Sequence, residues 1–448
     1  MTAAPAAGSR GFRGHEQRDV PAPDPELTAV GPHTPCGEWL RRSWQPVAMA
    51  GELADLPLAV RVLGEDLVLF RDRSGRIGLL HRHCSHRGAS LEYGIIMQHG
   101  IACCYHGWHY DVDGTLLDAP AEPGTALLDR IVHGAYPTRE CAGLVFAYLG
   151  PAALIPLFPE FDTQAIDGTQ AVPFSLVAPC NWLQVYENTQ DPLHVVYLHT
   201  RMTGAQFGEA SGAMQEIEYR ETPLGMINVQ TRHWKGHYWT RLTDSILPNG
   251  NQTGAIWEAA DRRKVFQRAA MLRWMVPVDD TRTMTIGWRF FRPELDPLGL
   301  GDPGKVGKQS IDFIGQTAEE RSGEARQRAP GDYEVQVSQR PIAVHALENL
   351  ATSDRGVAML RRLIRRGVRG LAAETAPRTL APGAHGRVAT YCQDTVWPAP
   401  AAAAIGPEAL RSFGATVADV LLATAHEAPE SRRAALAAAL TLSAKGSG

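Results

Sequence analysis

Short apolar runs separated by turn residues characterise the first third of the chain. The runs occupy residues 58–63, 67–70, 77–80 and 144–149. Gly, Asp and Ser bound them, and residues 72–75 and 111–114 are typical of hairpin loops. This pattern predicts a self-contained β domain over residues 35–150, entered through a short N-terminal helix.

The segments on either side of this domain differ in composition. Residues 1–34 are rich in Ala, Pro, Gly and Arg and lack a hydrophobic period, which predicts a disordered or loosely attached tail. Residues 151–173 are punctuated by proline and predict a linker. Residues 174–448 mix strand-like and helix-like runs, so the fold class is predicted to be α+β with the all-β part first.

Three helices are predicted near the C-terminus. An apolar stripe from Val357 to Leu371 predicts a helix over residues 347–371, and two more helices fit residues 407–424 and 430–444. The first of them carries five arginines on one face. We interpret this face either as a solvated surface or as a docking site for an acidic reductase.

Composition narrows the class of protein. Of the 448 residues, 44% are hydrophobic and 21% are charged, as in ordinary globular proteins. No run approaches the roughly 18 apolar residues of a membrane span, and residues 1–13 lack the apolar centre of a secretory signal. The net charge of -4 gives no footprint for nucleic acid. We therefore expect a cytoplasmic enzyme with neither a membrane nor a nucleic-acid partner.

Three of the seven cysteines lie between residues 84 and 104, next to histidines. Cys84 and His86 form a C-x-H pair, and Cys103 and His106 form a C-x-x-H pair after 16 intervening residues. Two cysteines and two histidines can hold one zinc ion tetrahedrally. They can also hold a [2Fe–2S] cluster, with the cysteines on one iron and the histidines on the other. The spacing alone leaves both interpretations open.

The surrounding residues favour the cluster. Cys84-Ser85-His86-Arg87 with Cys103-Cys104-Tyr105-His106-Gly107-Trp108 closely resembles the cluster motif of Rieske-type non-haem iron oxygenases. This resemblance implies that Cys84, His86, Cys103 and His106 hold a Rieske [2Fe–2S] cluster. The chain departs from the family pattern at Cys104, where proline is common. Because Cys104 is one residue out of phase, we expect Cys103 to be the ligand.

A second group of polar residues follows at 181–199. His194 and His199 are five residues apart, so an ideal α-helix would separate them by about 140° around its axis. Two histidines and one carboxylate form the facial triad of Fe(II) oxygenases. The two histidines can share a metal only if the helix widens, as in a π-bulge, or unwinds between them. Otherwise they are two unrelated histidines.

The order of these residues, E-N-x-x-D-x-x-H-x4-H from Glu187 to His199, resembles the catalytic motif of the same family. The resemblance implies that His194 and His199 bind a mononuclear Fe(II) and that Asn188 and Asp191 are catalytic. By the same resemblance, an electron reaches the iron through Asp191 from a cluster histidine of a neighbouring subunit. On a helix, Asp191 also shares a face with His194, where a carboxylate can orient an imidazole.

The third iron ligand is expected to be an acid far downstream. Residues 347–357 resemble the segment in which the phthalate-dioxygenase-like branch of the family carries its ligating aspartate, which implies Asp354. Ser353 and Asp354 are also typical of the N-cap and first turn of a helix. Glu348 is the alternative ligand.

The resemblance extends from about residue 31 to residue 425. It implies the catalytic α subunit of a Rieske oxygenase, with a Rieske β-sandwich over 35–150 and a catalytic domain over 174–448 whose antiparallel sheet is covered by helices. It further implies trimers or multiples of trimers. The implied partners are a flavin reductase that uses NAD(P)H, a ferredoxin, or both.

The implied reaction uses O2 to hydroxylate a small-molecule substrate. The branch resemblance favours an aromatic compound, in particular an aromatic carboxylate. Monooxygenation, by oxidative O- or N-demethylation or by hydroxylation of a non-aromatic compound, is the alternative. Two other classes remain open: a Rieske electron carrier without a catalytic iron, and a binding protein clipped by zinc.

Overall fold

A computed structural model of the chain describes residues 14–202, 204, 206–372, 380, 382, 386–400 and 405–445. The helices are α1 (Pro25–Thr28), α2 (Pro35–Leu40), α3 (Trp182–Asn188), α4 (Leu193–Val196), α5 (Gly323–Arg328), α6 (Asp332–Ser338), α7 (Arg355–Ala372), α8 (Pro407–Ala423) and α9 (Pro429–Lys445). The strands before residue 150 are β1 (Gln45–Met49), β2 (Leu58–Val62), β3 (Glu65–Arg71), β4 (Ile77–His81), β5 (Ile95–Ile96), β6 (Ile101–Ala102), β7 (His109–Tyr110), β8 (Leu116–Asp118), β9 (Ala135–Tyr136), β10 (Thr138–Cys141) and β11 (Leu144–Ala147). The later strands are β12 (Gln170–Ala178), β13 (Gln215–Glu221), β14 (Gly225–Trp234), β15 (His237–Ile246), β16 (Gly250–Thr253), β17 (Lys264–Arg268), β18 (Met271–Asp279), β19 (Arg282–Phe291) and β20 (Gln393–Pro398).

Three small antiparallel sheets form the N-terminal part of the chain, which confirms the predicted all-β domain. Their strand orders are β1-β11-β10, β2-β3-β4-β9 and β5-β6-β7-β8. The predicted hairpin loops join β3 to β4 and β7 to β8. The loop of Cys84 and His86 precedes β5, and the loop of Cys103 and His106 joins β6 to β7. The third sheet therefore supports both cysteine–histidine loops.

One large antiparallel sheet organises the second part of the chain. Its strand order is β12-β19-β18-β16-β15-β14-β13, with β20 beside β15 and β17 beside β20. Helix α8 packs on β13 to β15, and α3 packs on β18 and β19. Both C-terminal helices, α8 and α9, lie where the apolar spacing predicted them. This arrangement confirms the predicted α+β class. Among the described residues, none of the helices combines the length and apolar composition of a membrane span.

The main hydrophobic core joins the two parts. Phe146 of β11 contacts Trp274 of β18 and Trp288 of β19, with ring centroids 5.4 and 5.8 Å apart. All three rings are buried in one cluster with residues of α3 and α7. The first sheet of the N-terminal part is thereby packed directly on the large sheet.

Residues 25–30 do not form part of a loose tail, although one was predicted for residues 1–34. Leu27 and Val30 are fully buried. The Trp182 Nε1 group donates a hydrogen bond to the carbonyl of Leu27 at 3.1 Å, and the Asn181 amide donates to that of Thr28 at 2.9 Å. The prediction is wrong for this segment because two apolar side chains anchor it to α3, too few to produce a period. Residues 1–13 lie outside the described residues.

Helix α7 begins later than predicted, at Arg355. Its arginine-rich face is neither free nor simply solvated, because every one of the five arginines contacts an acidic side chain of the same chain. The pairs are Arg361 with Glu187 and Glu348, Arg362 and Arg366 with Glu221, Arg365 with Asp24, and Arg369 with Glu26. The helix is therefore fastened to α3, to β13 and to the start of the chain.

Arg361 is the buried member of this set. Its Nε and Nη2 groups donate to the two oxygens of Glu187 on α3 at 2.5 and 2.7 Å. Its Nη1 and Nη2 groups also donate to Glu348 at 2.5 and 3.0 Å. Burial raises the pKa of Glu187, and Arg361 opposes that shift. The guanidinium thus offsets part of the cost of burying this carboxylate, one residue before Asn188.

Replacing Arg361 tests the contribution of its buried ion pair with Glu187 to stability. Arg361→Met leaves Glu187 buried without its counter-charge, and we expect the free energy of unfolding to fall by about 3–5 kcal/mol. Arg362→Met is the matched control because its pair with Glu221 is exposed, so the loss should stay below about 1 kcal/mol. Urea unfolding followed by tryptophan fluorescence measures both. Equal losses in the two variants would contradict the bridge.

Candidate metal centres

The two cysteine–histidine loops have the same backbone construction. The Gly88 amide donates to the carbonyl of Cys84 at 2.9 Å, and the Gly107 amide donates to that of Cys103 at 3.0 Å. Both glycines have a φ of 75°, which other residues adopt only with strain. Each loop thus turns sharply after its histidine and returns to the sheet.

These loops bring like ligands together. Cys84 and Cys103 are each 3% exposed, and burial together with the neighbouring Cys84 thiol raises the pKa of Cys103. The rings of His86 and His106 are only partly buried, and their centroids are 4.6 Å apart. The pair of cysteines therefore lies inside the domain and the pair of histidines lies towards its surface.

This separation distinguishes a cluster from a single ion. The ligand atoms of one tetrahedral zinc ion lie about 3–4 Å apart. Within the described part of the chain, no three of these four donor atoms lie within 4.8 Å of one another. Two cysteines on one iron and two histidines on the other require this wider spacing. The geometry therefore fits a [2Fe–2S] cluster and does not fit a zinc clip.

Side chains that the sequence analysis missed support this centre. The Tyr110 hydroxyl lies 3.1 Å from Cys84 Sγ, and burial together with Cys84 raises the pKa of Tyr110. His133 Nε2 donates to the carbonyl of His81 at 2.7 Å, so its Nδ1 accepts the Ser85 hydroxyl at 2.7 Å. His133 lies 47 residues after His86, and only the fold reveals this contact.

The second centre depends on a change of helix type. Helix α4 ends at Val196 and a π-helical turn follows over Tyr197–Met202. This wider turn brings the rings of His194 and His199 to a centroid separation of 5.2 Å. The predicted widening is therefore confirmed.

Asp332, the first residue of α6, completes this group. Its Oδ1 atom lies 3.1 Å from His199 Nε2 and 3.5 Å from His194 Nε2. Neighbouring ligands about 2.1 Å from an octahedral ion are about 3.0 Å apart. The three donor atoms lie within 4.8 Å of one another, so they fit one metal ion as a facial triad.

Asp354, the expected third ligand, lies elsewhere. Its Oδ2 atom accepts hydrogen bonds from the Ala351 amide at 2.7 Å and the Ser353 hydroxyl at 3.4 Å. Asp354 thus caps the turn that leads into α7, in agreement with its interpretation as a residue of the helix start. The alternative, Glu348, is held by Arg361. We therefore correct the assignment of Asp354 and place Asp332 in the triad.

Asp332 is held by two amides. Asn188 Nδ2 donates to Oδ1 at 3.2 Å, and Gln316 Nε2 donates to Oδ2 at 3.0 Å. Burial alone would raise the pKa of Asp332, but His199 and His194 hold it below its usual range. Asn188, predicted to be catalytic, contacts the carboxylate of the triad, whereas nothing in the sequence pointed to Gln316.

A hydrogen bond at Nδ1 orients each of the two imidazoles. His194 Nδ1 hydrogen-bonds to the backbone carbonyl of Asp191, and His199 Nδ1 donates to Gln206 Oε1 at 2.9 Å. Because Nδ1 is engaged in each ring, Nε2 is the nitrogen beside Asp332 that would bind a metal. The expected orienting contact from Asp191 therefore exists, but the carbonyl makes it rather than the carboxylate.

A cavity of about 80 Å³ adjoins the triad. Its walls include the apolar side chains of Phe207, Ile256, Met271 and Phe313 and the guanidinium groups of Arg232, Arg241 and Arg273. A larger cleft of about 860 Å³ between β17 and α9 contains no residue of either centre. The smaller cavity is therefore the candidate substrate site, because its walls include the metal-binding residues.

Comparison with known proteins agrees with this geometry. Residues 43–131 match the Rieske [2Fe-2S] domain. The chain is 47% identical over 402 residues to the tert-butanol monooxygenase / tert-amyl alcohol desaturase oxygenase subunit of Aquincola tertiaricarbonis, covering 86% of this chain and 85% of that protein. It is 37% identical to the phenoxybenzoate dioxygenase subunit alpha of Ectopseudomonas oleovorans, covering 79% and 87%.

The fold agrees as well. The structure of dicamba monooxygenase bound to dicamba matches with a TM-score of 0.55 at 18% identity, over 75% of this chain and 99% of that one. The chain belongs to the Rieske non-haem iron oxygenases. It is an oxidoreductase, the oxygenase component of a multicomponent system.

The choice between adjacent cysteines is testable. Cys103→Ala removes a buried thiol that pairs with Cys84, so we expect loss of acid-labile sulfide and of the visible spectrum of the cluster. Cys104→Ala, the matched control, removes an exposed thiol and should retain both. Sulfide analysis and electron paramagnetic resonance of the reduced proteins measure the difference. Unchanged sulfide in Cys103→Ala would contradict the assignment.

Proposed function

We propose that this oxygenase binds Fe(II) through His194, His199 and Asp332 and hydroxylates a compact small molecule in the adjoining cavity. The observation that carries the proposal is the convergence of two Nε2 atoms and one carboxylate oxygen on a single point. A second histidine–carboxylate group among the described residues consists of Glu187, His345 and Glu348. Arg361 pairs with both of its carboxylates, so this group is a weaker candidate for a metal site.

Iron held in this way supplies open coordination positions and the oxidising chemistry of O2. The chain supplies orientation and exclusion of water. Asn188 and Gln316 hold the carboxylate of Asp332, and the Phe207 ring stacks on His199 at a centroid distance of 4.2 Å. Phe207 covers one face of the imidazole and keeps water from it.

We further propose that Cys84, His86, Cys103 and His106 hold the Rieske cluster and that Asp191 connects the two centres across a subunit interface. The Asp191 carbonyl already bonds His194, which leaves its carboxylate to accept a hydrogen bond from His86 or His106 of a neighbouring subunit. Exposed apolar side chains beside both centres, among them Tyr105 and Tyr197, support an interface there. In a trimer, or a multiple of one, each subunit receives this contact from one neighbour and provides it to another.

The size of the cavity favours a compact substrate. A cavity of about 150 Å³ accommodates benzene, whereas the cavity of this chain measures about 80 Å³. The relative named for tert-butanol and tert-amyl alcohol supports the same conclusion. We therefore favour hydroxylation of a branched aliphatic compound over the aromatic substrate expected from the branch resemblance.

The ligand assignment predicts a metal content. Holoprotein purified without oxygen should contain about three irons for two sulfides. Asp332→Asn removes a charged ligand, and we expect the ratio to fall to about two irons for two sulfides. Asp354→Asn is the control, because asparagine also caps helices, and it should keep the full ratio. The reverse pattern would restore Asp354 as the ligand.

The cavity volume predicts selectivity by size. With a reductase and NADH, we expect the holoenzyme to incorporate one atom from labelled O2 into tert-butanol and to leave 3-phenoxybenzoate unchanged. Mass spectrometry of the products measures this. Phe207→Ala enlarges the cavity and should lower turnover of the small alcohol by about tenfold or more through poorer positioning. Efficient oxidation of phenoxybenzoate by the unmodified enzyme would contradict the proposed selection of substrates by cavity size.

A further inference from the structure

Arg273 is a cavity arginine whose two terminal groups lack a partner among the described residues. It extends from β18 and lines the cavity together with His194, His199 and Asp332. Its Nε group donates to Asn251 Oδ1 at 3.3 Å. Neither of its two terminal Nη groups has a hydrogen-bond or ion-pair partner among the described residues. Four N–H bonds of a cation are therefore free to meet a ligand.

The other two arginines of the cavity hydrogen-bond to its walls through terminal groups. Arg241 forms a two-point ion pair with Asp394 at 2.8 and 2.9 Å. Arg232 donates to Gln230 at 2.9 Å and lies over the Trp239 ring. Both therefore have structural partners in the walls, and Arg273 differs from them in this respect.

The carboxylates near the cavity cannot neutralise Arg273. Asp394 is paired with Arg241, and among the described residues that line the cavity Asp332 is the only acid. Burial lowers the pKa of Arg273 and Asp332 opposes the shift, but a guanidinium stays charged at neutral pH. Once Asp332 is bound to Fe(II), it offers Arg273 still less compensation. The cavity therefore carries excess positive charge.

We propose that the substrate is a compact carboxylate and that its carboxylate group binds Arg273. This inference rests on the proposed function and names its substrate class. A guanidinium presents two parallel N–H groups that match the two oxygens of a carboxylate. A neutral alcohol or amide of the same shape leaves the charge of Arg273 unmatched.

The same contact positions the molecule for oxidation. Arg273 and the triad line one small cavity, so a carboxylate on Arg273 leaves the alkyl part beside His194, His199 and Asp332. Phe207, Ile256, Met271 and Phe313 provide apolar contacts for that part. Arg273 is thus a specificity-determining residue and does not itself take part in the oxidation.

Two molecules of equal shape test the proposal. Pivalate and pivalamide have the same branched carbon skeleton and differ in charge. We would measure binding of each to the iron-loaded, reduced holoenzyme without oxygen by titration calorimetry. We expect pivalate to bind at least about 30-fold more tightly than pivalamide, the lower limit for a desolvated charge pair.

Three variants identify the residue responsible. Arg273→Gln should reduce the preference for pivalate to about threefold or less, with unchanged iron and sulfide. Arg273→Lys keeps the charge but loses the two parallel N–H groups, so we expect an intermediate preference for pivalate. Arg262→Gln removes an exposed arginine of the large cleft and should behave as wild type.

The inference is overturned if the wild-type holoenzyme binds the two compounds equally, or binds neither. It is also overturned if Arg273→Gln keeps the preference. If Arg273→Gln loses iron, Arg273→Lys with a full iron content is measured in its place. In that variant, either an unchanged 30-fold preference for pivalate or no preference at all contradicts the proposed two-point contact. The iron-to-sulfide ratio and the oxidation of tert-butanol test the proposed function separately, so the two failures can be distinguished.

Discussion

Two imidazoles five residues apart can face one point only if the backbone between them leaves the α-helical path. The rest of the catalytic half accommodates this constraint. Helix α3 ends at Asn188, α4 begins at Leu193, and the π-helical turn at Tyr197–Met202 supplies the extra width. Irregular backbone of this kind needs outside support. The Gln190 side chain donates to Ser245 on β15 at 2.8 Å, and buried α3 anchors the approach from the N-terminal side.

The sequence predicted what is local and missed what depends on packing. Cys84 with His86, and Cys103 with His106, lie on single loops whose glycines fix the turn, so their motif is visible in the chain. The spacing of His194 and His199 required a widened or unwound helix if the two rings were to share a metal. The third ligand did not, because an aspartate at the start of a helix has the same local signature whether it caps the helix or binds a metal. Asp332 and Asp354 both stand at such positions, and only the packing of α6 against His199 distinguishes them.

The two halves of the molecule are joined by different forces. Aromatic packing of Phe146 on Trp274 and Trp288 is apolar and insensitive to salt. The polar face of helix α7 is instead held by ion pairs, of which only those of Arg361 are largely shielded from solvent. Ionic strength therefore acts on the outer pairs of α7 far more than on the aromatic contact. Since Glu187 immediately precedes Asn188, the shielded pair also steadies the amide that holds Asp332.

The orientation of His194 relies on a main-chain oxygen. The Asp191 carbonyl accepts this hydrogen bond from the imidazole Nδ1, so the contact is made by the main chain and not by the carboxylate. The carboxylate of Asp191 is consequently a separable element: it can be exchanged, shortened or lengthened while the histidine retains its tautomer. Orientation of His194 and the electron transfer proposed for Asp191 therefore depend on different atoms of Asp191, one in the main chain and the other in the side chain.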